Sequence, residues 1–121
     1  TAKIIAHTSF AMDPIYFTKA PIVAIKNLLE KANLSVTDID LFEINEAFSC
    51  VTLAAMRELN ISEDKVNIYG GAVSLGHPIG ASGARILVTL LNALKSTKQK
   101  YGIACLCIGG GEASAILVEM I

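Results

Sequence analysis

Residues 70–83 read GGAVSLGHPIGASG and place one of the chain's two histidines among five glycines. Glycine at this density either forms a permissive loop or lets the backbone approach another group closely. The segment before it, Val66–Ile68, predicts a brief strand, and the segment after it, Ala84–Leu94, predicts a helix. A strand that leads through a glycine loop into a helix is typical of an α/β fold.

The rest of the chain continues this alternation of strand and helix. Pro21 suits the first turn of a helix, which apolar residues at helical spacing extend to Asn33. Asn45 is placed as the N-cap of a helix over 46–59. Strands are predicted at 3–12, 39–44, 102–108 and 113–120, with glycines 109–111 turning the last two into a hairpin. The order βαβαβαββ predicts one α/β domain over 1–121, with a mixed, mostly parallel five-stranded sheet and helices on both faces.

Composition and charge limit the classes of function. Apolar residues make up 53% of the 121 residues and charged residues 17%, which is far from a disordered composition. The net charge of -1 argues against nucleic acid and an anionic membrane surface as partners. No apolar run reaches the roughly 18 residues of a membrane span. The three cysteines lack CxxC or Cys/His spacing, so buried reduced thiols are expected rather than a zinc site.

The helix predicted at Ala84–Leu94, ARILVTLLNAL, carries Arg85 as its only charge. A helix that is apolar almost all round is normally buried on both sides. One sheet can cover only one side, and a second sheet is not predicted within these 121 residues. We therefore expect this helix to dock against another half of a larger protein.

Three polar side chains fall at the carboxyl ends of predicted strands, where α/β sheets bind ligands. Asn45 follows the second strand, His77 follows the third and Cys107 ends the fourth. Each has a plainer reading, because Asn45 suits a helix cap, His77 a loop hydrogen bond and Cys107 an inert core thiol. Strand alternation puts Cys105 and Cys107 on one face. Cys107 is favoured as the functional one because the following glycines can present free N–H donors.

Three blocks of sequence carry a resemblance to a known family. They are NEAF at 45–48, GHPIGASG at 76–83 and CIGGG at 107–111, and they occur in this order. Together they resemble the C-terminal half of thiolases, the acetyl-CoA C-acetyltransferases, and the similarity extends over essentially the whole chain. Phe17 in IYFTKAP, with GGAVSLGHPIG, is similar to the short-chain, mitochondrial type that acts on acetoacetyl-CoA.

The resemblance implies a role for each polar residue. Cys107 matches the acid/base cysteine that takes the α-proton of the second acetyl-CoA, which requires a pKa brought within range by donors and positive charge. His77 matches the residue that activates the nucleophilic cysteine and donates a hydrogen bond to the enolate oxygen. Asn45 matches the residue that holds a water as the second donor. The N–H of Gly109 matches a donor of the other oxyanion hole, where a Cβ would crowd the thioester.

The resemblance also implies substrate contacts and ligands. Phe48, Phe17 and Ile79 match residues that line the acyl pocket. CoA thioesters are the substrates and no cofactor is required, although in some family members the carbonyl at the position of Val73 contacts a potassium ion. Thr18 replaces a proline that tends to follow Phe17 in the mitochondrial type, which leaves acceptance of 2-methyl substrates open.

Partners and location follow from the same resemblance. Acetyl-CoA, acetoacetyl-CoA and CoA are the expected ligands, in lipid and ketone-body metabolism. The nucleophilic cysteine and most CoA contacts of thiolases belong to an N-terminal half and a loop region that are absent here, so this chain alone is expected to be inactive. A full-length homodimer or homotetramer is expected, mitochondrial or cytoplasmic, with mitochondria slightly favoured.

Two alternatives stay open. A ketoacyl synthase is related, but such enzymes pair their nucleophile with two histidines, or with His and Asn, and do not need the Cys107 block. A non-catalytic thiolase-like module that binds acyl-CoA or a protein is the alternative from another class. Glu112 favours it, because a carboxylate directed at Cys107 would disfavour the thiolate. A solvated glutamate in the hairpin is the plainer reading of Glu112.

Overall fold

The structure is a computed structural model that describes all residues from 1 to 121. Its strands are β1 (Ala2–Ala11), β2 (Leu41–Ile44), β3 (Tyr101–Ile108) and β4 (Glu112–Met120), and its helices are α1 (Ala20–Ala32), α2 (Ser49–Leu59), α3 (Ala72–Leu75) and α4 (Ile79–Thr97). Short 3-10 turns lie at 14–19, 36–38 and 63–65. The predicted α/β class is therefore confirmed.

The four strands form one mixed sheet in the order β1-β4-β3-β2. Strand β4 is antiparallel to both of its neighbours, and β2 is parallel to β3. Strands β1, β2 and β3 consequently share one direction, and β4 alone is reversed, as the predicted hairpin requires. The sheet is mixed and mostly parallel in strand direction, although two of its three pairings are antiparallel.

The prediction of five strands is wrong by one. The segment expected to be the third strand makes only an isolated parallel bridge, between Phe42 and Val66. Asn67 interrupts it, because its φ of 48° lies in the left-handed region and its side chain takes the place of a strand neighbour. Its Oδ1 accepts the N–H of Ile44 and its Nδ2 donates to the Ile44 carbonyl, both at 2.9 Å. The edge of β2 is thus paired by one amide side chain.

Helices cover both faces of the sheet, as predicted. The larger core lies on the side of α1 and α2 and includes Ile25, Leu28, Phe42, Ile44 and Val51. The smaller core lies under α4 and includes Leu41, Ile86, Leu90 and Leu94. Alternation along β2 explains the division, because successive side chains of a strand point to opposite faces.

Helix α1 has the predicted bounds and α2 does not. Pro21 stands in the first turn of α1, and Asn33 ends it in the left-handed conformation with φ 54°. Helix α2 begins at Ser49 rather than near Glu46, so Asn45 is not its N-cap. The chain stays extended to Phe48, whose φ and ψ are -140° and 149°. Asn45 is free for another task.

Helix α4 begins at Ile79, five residues before its predicted start, and absorbs the end of the glycine loop. It buries Ser82, Ile86, Leu90, Ala93 and Leu94 against the sheet. Val88, by contrast, is 57% exposed. This chain therefore covers only one side of the apolar helix. None of the helices combines the length and the apolar character needed to cross a membrane.

The turn at 109–111 joins β3 to β4 and packs beneath the end of β1. The carbonyl of Gly111 accepts the N–H of Met12 at 2.9 Å. Gly111 has a φ of 85°, and a Cβ on it would lie 2.2 Å from the Met12 carbonyl oxygen. Only glycine fits this position, and the close contact holds the hairpin in place beside the carboxyl end of β3.

Candidate active site

A cavity of about 290 Å³ opens at the carboxyl ends of β2 and β3. Its walls are Phe17, Ala47, His77, Ile79, Leu106, Cys107, Ile108 and Gly109. Five of the eight residues singled out in the sequence therefore meet at one place, although they come from three separate parts of the chain. The imidazole of His77, the thiol of Cys107 and the backbone of Gly109 surround a mostly apolar space, which suits a small ligand with one polar end.

The imidazole of His77 is held by two polar side chains. Its Nδ1 lies 2.6 Å from Oγ of Ser82, and the Ser82 hydroxyl donates to the Pro78 carbonyl at 3.1 Å. Since that hydroxyl has a single hydrogen, it accepts the N–H of Nδ1, which leaves the lone pair of the ring on Nε2. The chain therefore selects one tautomer of His77 and fixes the plane of its ring.

Asn45 is the second partner of the ring. Its Nδ2 lies 3.3 Å from Nε2 and 3.4 Å from Nδ1 of His77, nearly equidistant from the two ring nitrogens. Asn45 is fully buried, and its backbone N–H donates to the Cys105 carbonyl at 2.9 Å. Its Oδ1 is buried without a protein partner. These contacts are long for hydrogen bonds and are typical of a site that tightens around a ligand.

Cys107 lines the cavity with 8% of its surface exposed, whereas Cys105 is completely buried on the same face of β3. Burial raises the pKa of the Cys107 thiol above its ordinary value, and the nearby Cys50 raises it further, against a lowering by a backbone hydrogen bond. Burial raises the pKa of Cys105 far more. Of the two, Cys107 alone has access to a ligand.

Glu112 does not face the thiol. It is exposed in the first position of β4 and borders a neighbouring hollow of about 390 Å³ together with Ser9, Phe10, Ala11, Ile108 and Ala113. It is not among the groups that shift the pKa of Cys107. The reading of Glu112 as a solvated hairpin glutamate is therefore the one that the structure supports.

The three predicted pocket residues are placed differently from one another. Phe17 and Ile79 line the cavity, and Ile79 is 84% exposed at its mouth. Phe48 does not line it, because the extended chain before α2 carries its ring outward. Its ring meets that of Phe17 edge to face, with 6.0 Å between centroids. Phe48 supports the wall of the cavity from outside.

Val73 lies in α3, on the outer side of the glycine segment. Its side chain is exposed, and its backbone N–H donates to Oε2 of Glu46 at 2.9 Å. Its carbonyl oxygen accepts no backbone or side-chain hydrogen bond within the chain, so it is free to face a cation. One carbonyl is a single ligand, and no group of three His, Cys, Asp or Glu side chains gathers anywhere in the protein.

The thiolase C-terminal domain model matches residues 1–120 of the chain. The chain belongs to the thiolase family. The match covers both the α/β core and every residue of the cavity, so the thiolase resemblance of the three sequence blocks is confirmed.

Curated thiolase relatives agree with this membership. An acetyl-CoA acetyltransferase of Yarrowia lipolytica is 54% identical over 120 residues, which are 99% of this chain and 30% of the relative. The mitochondrial acetyl-CoA acetyltransferase of Rattus norvegicus is 52% identical over 118 residues, 98% of this chain and 27% of its own length. The cytosolic acetyl-CoA acetyltransferase of Mus musculus is 49% identical over 118 residues, 98% of this chain and 30% of its own length.

Solved thiolase structures share the fold. The acetyl-CoA acetyltransferase of Bacillus anthracis superposes with a TM-score of 0.96 at 44% identity, covering 99% of this chain and 30% of the other. The Acat5 thiolase of Ascaris suum in complex with coenzyme A superposes with a TM-score of 0.95 at 52% identity, covering 99% and 31%. The chain spans about 30% of the length of the relatives that it matches.

Sequence reasoning missed Ser82, the residue that sets the tautomer of His77. The signal was present, because Ser82, Ile86, Leu90 and Leu94 recur at helical spacing on the buried side of α4. The glycines at 80 and 83 concealed it by making this thiolase segment read as a loop. A lone buried serine in an apolar stripe usually has a polar partner, and here the partner is the candidate active-site ring.

A second missed feature is the clamp that fastens the glycine segment to β2. Oε2 of Glu46 accepts the N–H of Val73, and its Oε1 accepts from Nδ2 of Asn67 at 3.4 Å. A Cβ on Gly71 would lie 2.6 Å from the same carboxylate. The glycine of the thiolase loop at this point therefore serves a close approach, and the clamp fixes the start of the segment that carries His77.

Proposed function

We propose that this chain is the C-terminal half of a short-chain thiolase, an acetyl-CoA C-acetyltransferase. The reaction joins two acetyl-CoA molecules into acetoacetyl-CoA with release of CoA, and it also runs in reverse. The observation that carries the proposal is the position of His77, which is held by Asn45 and Ser82 and shares a cavity with Cys107. The names of the acetyl-CoA acetyltransferase relatives and the CoA complex of the Ascaris suum thiolase support the substrate class.

In the proposed condensation, a cysteine of the N-terminal half first takes the acetyl group of one acetyl-CoA, and CoA leaves as the thiol. The Cys107 thiolate then removes a proton from the α-carbon of the second acetyl-CoA. The electron pair of that C–H bond forms the new C–C bond to the acyl carbon, and the sulfur of the N-terminal cysteine departs. Each bond formed is balanced by one bond broken, so no redox partner is needed.

The polar groups of the cavity suit the charge that this reaction develops. The enolate oxygen carries negative charge, which preorganised donors stabilise most effectively in a site shielded from water. The proposal assigns the first donor to His77, whose Nε2 takes the proton of the N-terminal cysteine when it activates that thiol and can then donate it to this oxygen. Asn45 directs a water as the second donor. The backbone N–H of Gly109 is assigned to the other oxyanion hole. Gly109 lines the cavity, and no atom lies within 4 Å of the position of a Cβ there.

The raised pKa of Cys107 suggests that this chain alone and the full-length protein differ in activity. A general base must ionise near the working pH, but burial in this chain moves the pKa of the thiol away from that range. Residues of the N-terminal half, by adding donors or positive charge near the sulfur, would reverse the shift. We therefore propose that these 121 residues are inactive without that half.

The N-terminal half is proposed to cover the open side of α4. A groove of about 310 Å³ runs there between the helix and the sheet, with Leu87, Leu106 and Ile116 among its apolar walls. Val88 stands exposed on the helix above it. Apolar surface of this extent is normally covered by a partner. The proposal includes assembly of the full-length protein into a homodimer or homotetramer.

The proposal extends to the location of the protein and to metal binding. Relatives described as mitochondrial and as cytosolic support either compartment, and the preference for mitochondria depends on the GGAVSLGHPIG resemblance alone. A potassium ion at the Val73 carbonyl is compatible with the free oxygen there. The chain offers that oxygen alone, so no step of the reaction depends on the ion.

The experiment that tests the function is cleavage of acetoacetyl-CoA by CoA, measured with the full-length protein. A chain carrying a thiolase site forms two acetyl-CoA per turnover, and His77→Ala and Cys107→Ala each remove this activity. A full-length protein without activity would contradict the proposal. It would favour a non-catalytic module that binds acyl-CoA, for which the raised pKa of Cys107 is the supporting observation.

A further inference from the structure

An ion pair joins the sheet to α4, between the buried Glu43 and Arg85, whose side chain is 24% exposed. Glu43 is 1% exposed, and its Oε2 lies 3.3 Å from Nη1 of Arg85. The other oxygen of Glu43, Oε1, is buried and has no partner among the protein atoms. Ionised groups are rarely placed in a protein interior unless a specific contact requires it.

The ion pair does not contribute stability in an obvious way. Burial raises the pKa of Glu43 to about 7, against the opposing effects of Arg85. The carboxyl group of Glu43 therefore ionises less readily in the folded chain than it does in water. Replacing such a pair with apolar side chains is often neutral or stabilising. The pair is therefore better explained by the geometry that it fixes.

Two sets of contacts join the end of β2 to the start of α4 around the candidate active site. Glu43 and Asn45 alternate with Ile44 along the end of β2 and so point to one side of the sheet. Arg85 and Ser82 are three residues apart on α4 and so lie on one face of the helix, one turn apart. The first link is the ion pair of Glu43 with Arg85, and the second link runs from Asn45 through His77 to Ser82.

The two links act on the same two elements. The apolar contacts beneath α4 come from Ile86, Leu90 and Leu94, and apolar contacts are non-directional, so they hold the helix on the sheet without fixing its position along β2. A charge-assisted hydrogen bond has a narrow range of distance and angle. The pair fixes the position of the first turns of α4 along β2. This position determines the distance between Asn45 and the imidazole of His77.

We propose that Glu43 and Arg85 are positioning residues, which hold the start of α4 at the position along β2 where Asn45 and Ser82 both contact His77. The inference rests on the proposed thiolase function, since His77 must act on a substrate for its position to matter. Neither residue lines the cavity, so neither is assigned contact with the substrate.

The test uses the full-length protein and Glu43→Gln, which keeps the shape of the side chain but removes its charge. We expect kcat for acetoacetyl-CoA cleavage to fall about tenfold, because small misplacements of catalytic groups cost rate, and KM to change by less than about twofold. The thermal midpoint at pH 8 does not fall, because the variant resembles the protonated carboxyl that burial favours. Arg85→Lys, which retains the positive charge, regains part of the kcat lost in Arg85→Gln.

A matched control is available at the other ion pair of the chain. Glu119 pairs with Lys100 at 2.8 Å on the surface, far along the sheet from the cavity. Glu119→Gln removes the same charge and is expected to leave both kcat and KM unchanged. A loss of kcat in Glu43→Gln that the control does not share separates positioning from a general effect of charge.

The outcomes distinguish this inference from the function on which it rests. An inactive wild-type protein contradicts the proposed function itself. An active wild type whose folded Glu43→Gln variant keeps the wild-type kcat overturns the positioning role. If Glu43→Gln does not fold, the double variant Glu43→Gln/Arg85→Gln leaves no unpaired charge and is assayed instead. Failure of both to fold also overturns the inference, because the pair would then maintain the fold rather than the site.

Discussion

Oγ of Ser82 lies 2.6 Å from Nδ1 of His77, and this contact joins a helix to the ring that the preceding loop presents. The serine is 1% exposed and also donates to the Pro78 carbonyl, so its hydrogen is already committed. Helix α4 therefore orients the imidazole and leaves the lone pair on Nε2. A residue that sets the tautomer of a catalytic histidine controls which of its nitrogens meets the substrate.

Ser82→Ala tests this contact. The variant removes the hydrogen bond to the ring, worth roughly 1 kcal/mol, together with the one to the Pro78 carbonyl, and frees the ring to rotate. We expect kcat for acetoacetyl-CoA cleavage by the full-length protein to fall about tenfold. Ser96→Ala is the control, since Ser96 lies on the same helix but bonds to Tyr69 on the surface. Equal activity of both variants would show that the serine does not orient the ring.

Gly109 and Gly111 are expected to respond differently to alanine. Gly111→Ala places a methyl group against the Met12 carbonyl in a left-handed conformation, and we expect a loss of at least about 2 kcal/mol of unfolding free energy. Gly109→Ala meets no protein atom and leaves the thermal midpoint unchanged. Its methyl group enters the cavity, so we expect KM for acetoacetyl-CoA to rise. An unfolded Gly109→Ala variant would show that the turn, rather than the ligand, requires this glycine.

Much of the fold follows from the sequence, and the exceptions have local causes. Runs of apolar and β-branched residues predicted β1, β3 and β4 closely, and apolar residues at helical spacing predicted α1, because these local patterns agree with the packing of the sheet and the helix. Residues 66–68 failed as a strand because Asn67 adopts a left-handed conformation and pairs with β2 through its side chain. Asn45 was assigned as a cap from its residue type, yet tertiary contacts with Cys105 and His77 determine its place.

The polar residues of the candidate site were predicted from the sequence, but the residues that hold them in position were not. Asn45, His77 and Cys107 were found because strand ends of α/β sheets converge, and family motifs marked the same positions. Ser82 lies only five positions from His77 and was missed because the glycines around it made the start of α4 read as a loop. Glu43 and Arg85 were missed because they act through a contact between positions 42 apart in the sequence. Pairings of this kind become visible only when helix and sheet are packed together.

The dependence of stability on pH tests the burial of Glu43. Its pKa is raised from 4.5 to about 7, with burial as the largest cause, Arg85 opposing it and Glu46 adding to it. Between these two values the folded protein binds a proton that the unfolded chain has lost. Stability is therefore highest below about pH 4.5 as far as this group is concerned, and it falls as pH rises through 7.

Glu43→Gln removes this contribution. We expect the difference in thermal midpoint between variant and wild type to be small at pH 5 and to favour the variant at pH 8. Glu119→Gln provides the control, because its carboxylate is partly exposed and paired with Lys100, whose hydrogen bond lowers the pKa of Glu119 rather than raising it. A variant destabilised at pH 8 would show that Glu43 is ionised and stabilising in the folded protein.

The reactivity of Cys107 distinguishes an enzyme from a binding module. Burial raises the pKa of this thiol in the chain described, whereas a general base needs a thiolate near neutral pH. We expect alkylation of Cys107 in the full-length protein, followed on the peptide that carries Cys107, to titrate near neutral pH, with Cys50→Ser used to remove the exposed thiol of this half. Alkylation that begins only in strongly alkaline solution would favour the non-catalytic module.

The most direct measurement is the rate of acetoacetyl-CoA cleavage by CoA for the full-length protein and its Cys107→Ala variant, with correct folding checked by the thermal midpoint. We expect turnover by the wild type and a loss of at least about a hundredfold in the variant, since removal of a general base typically costs about 10²–10⁴-fold. A folded Cys107→Ala protein that retained most of the wild-type rate would contradict the assignment of Cys107, and with it the proposed active site.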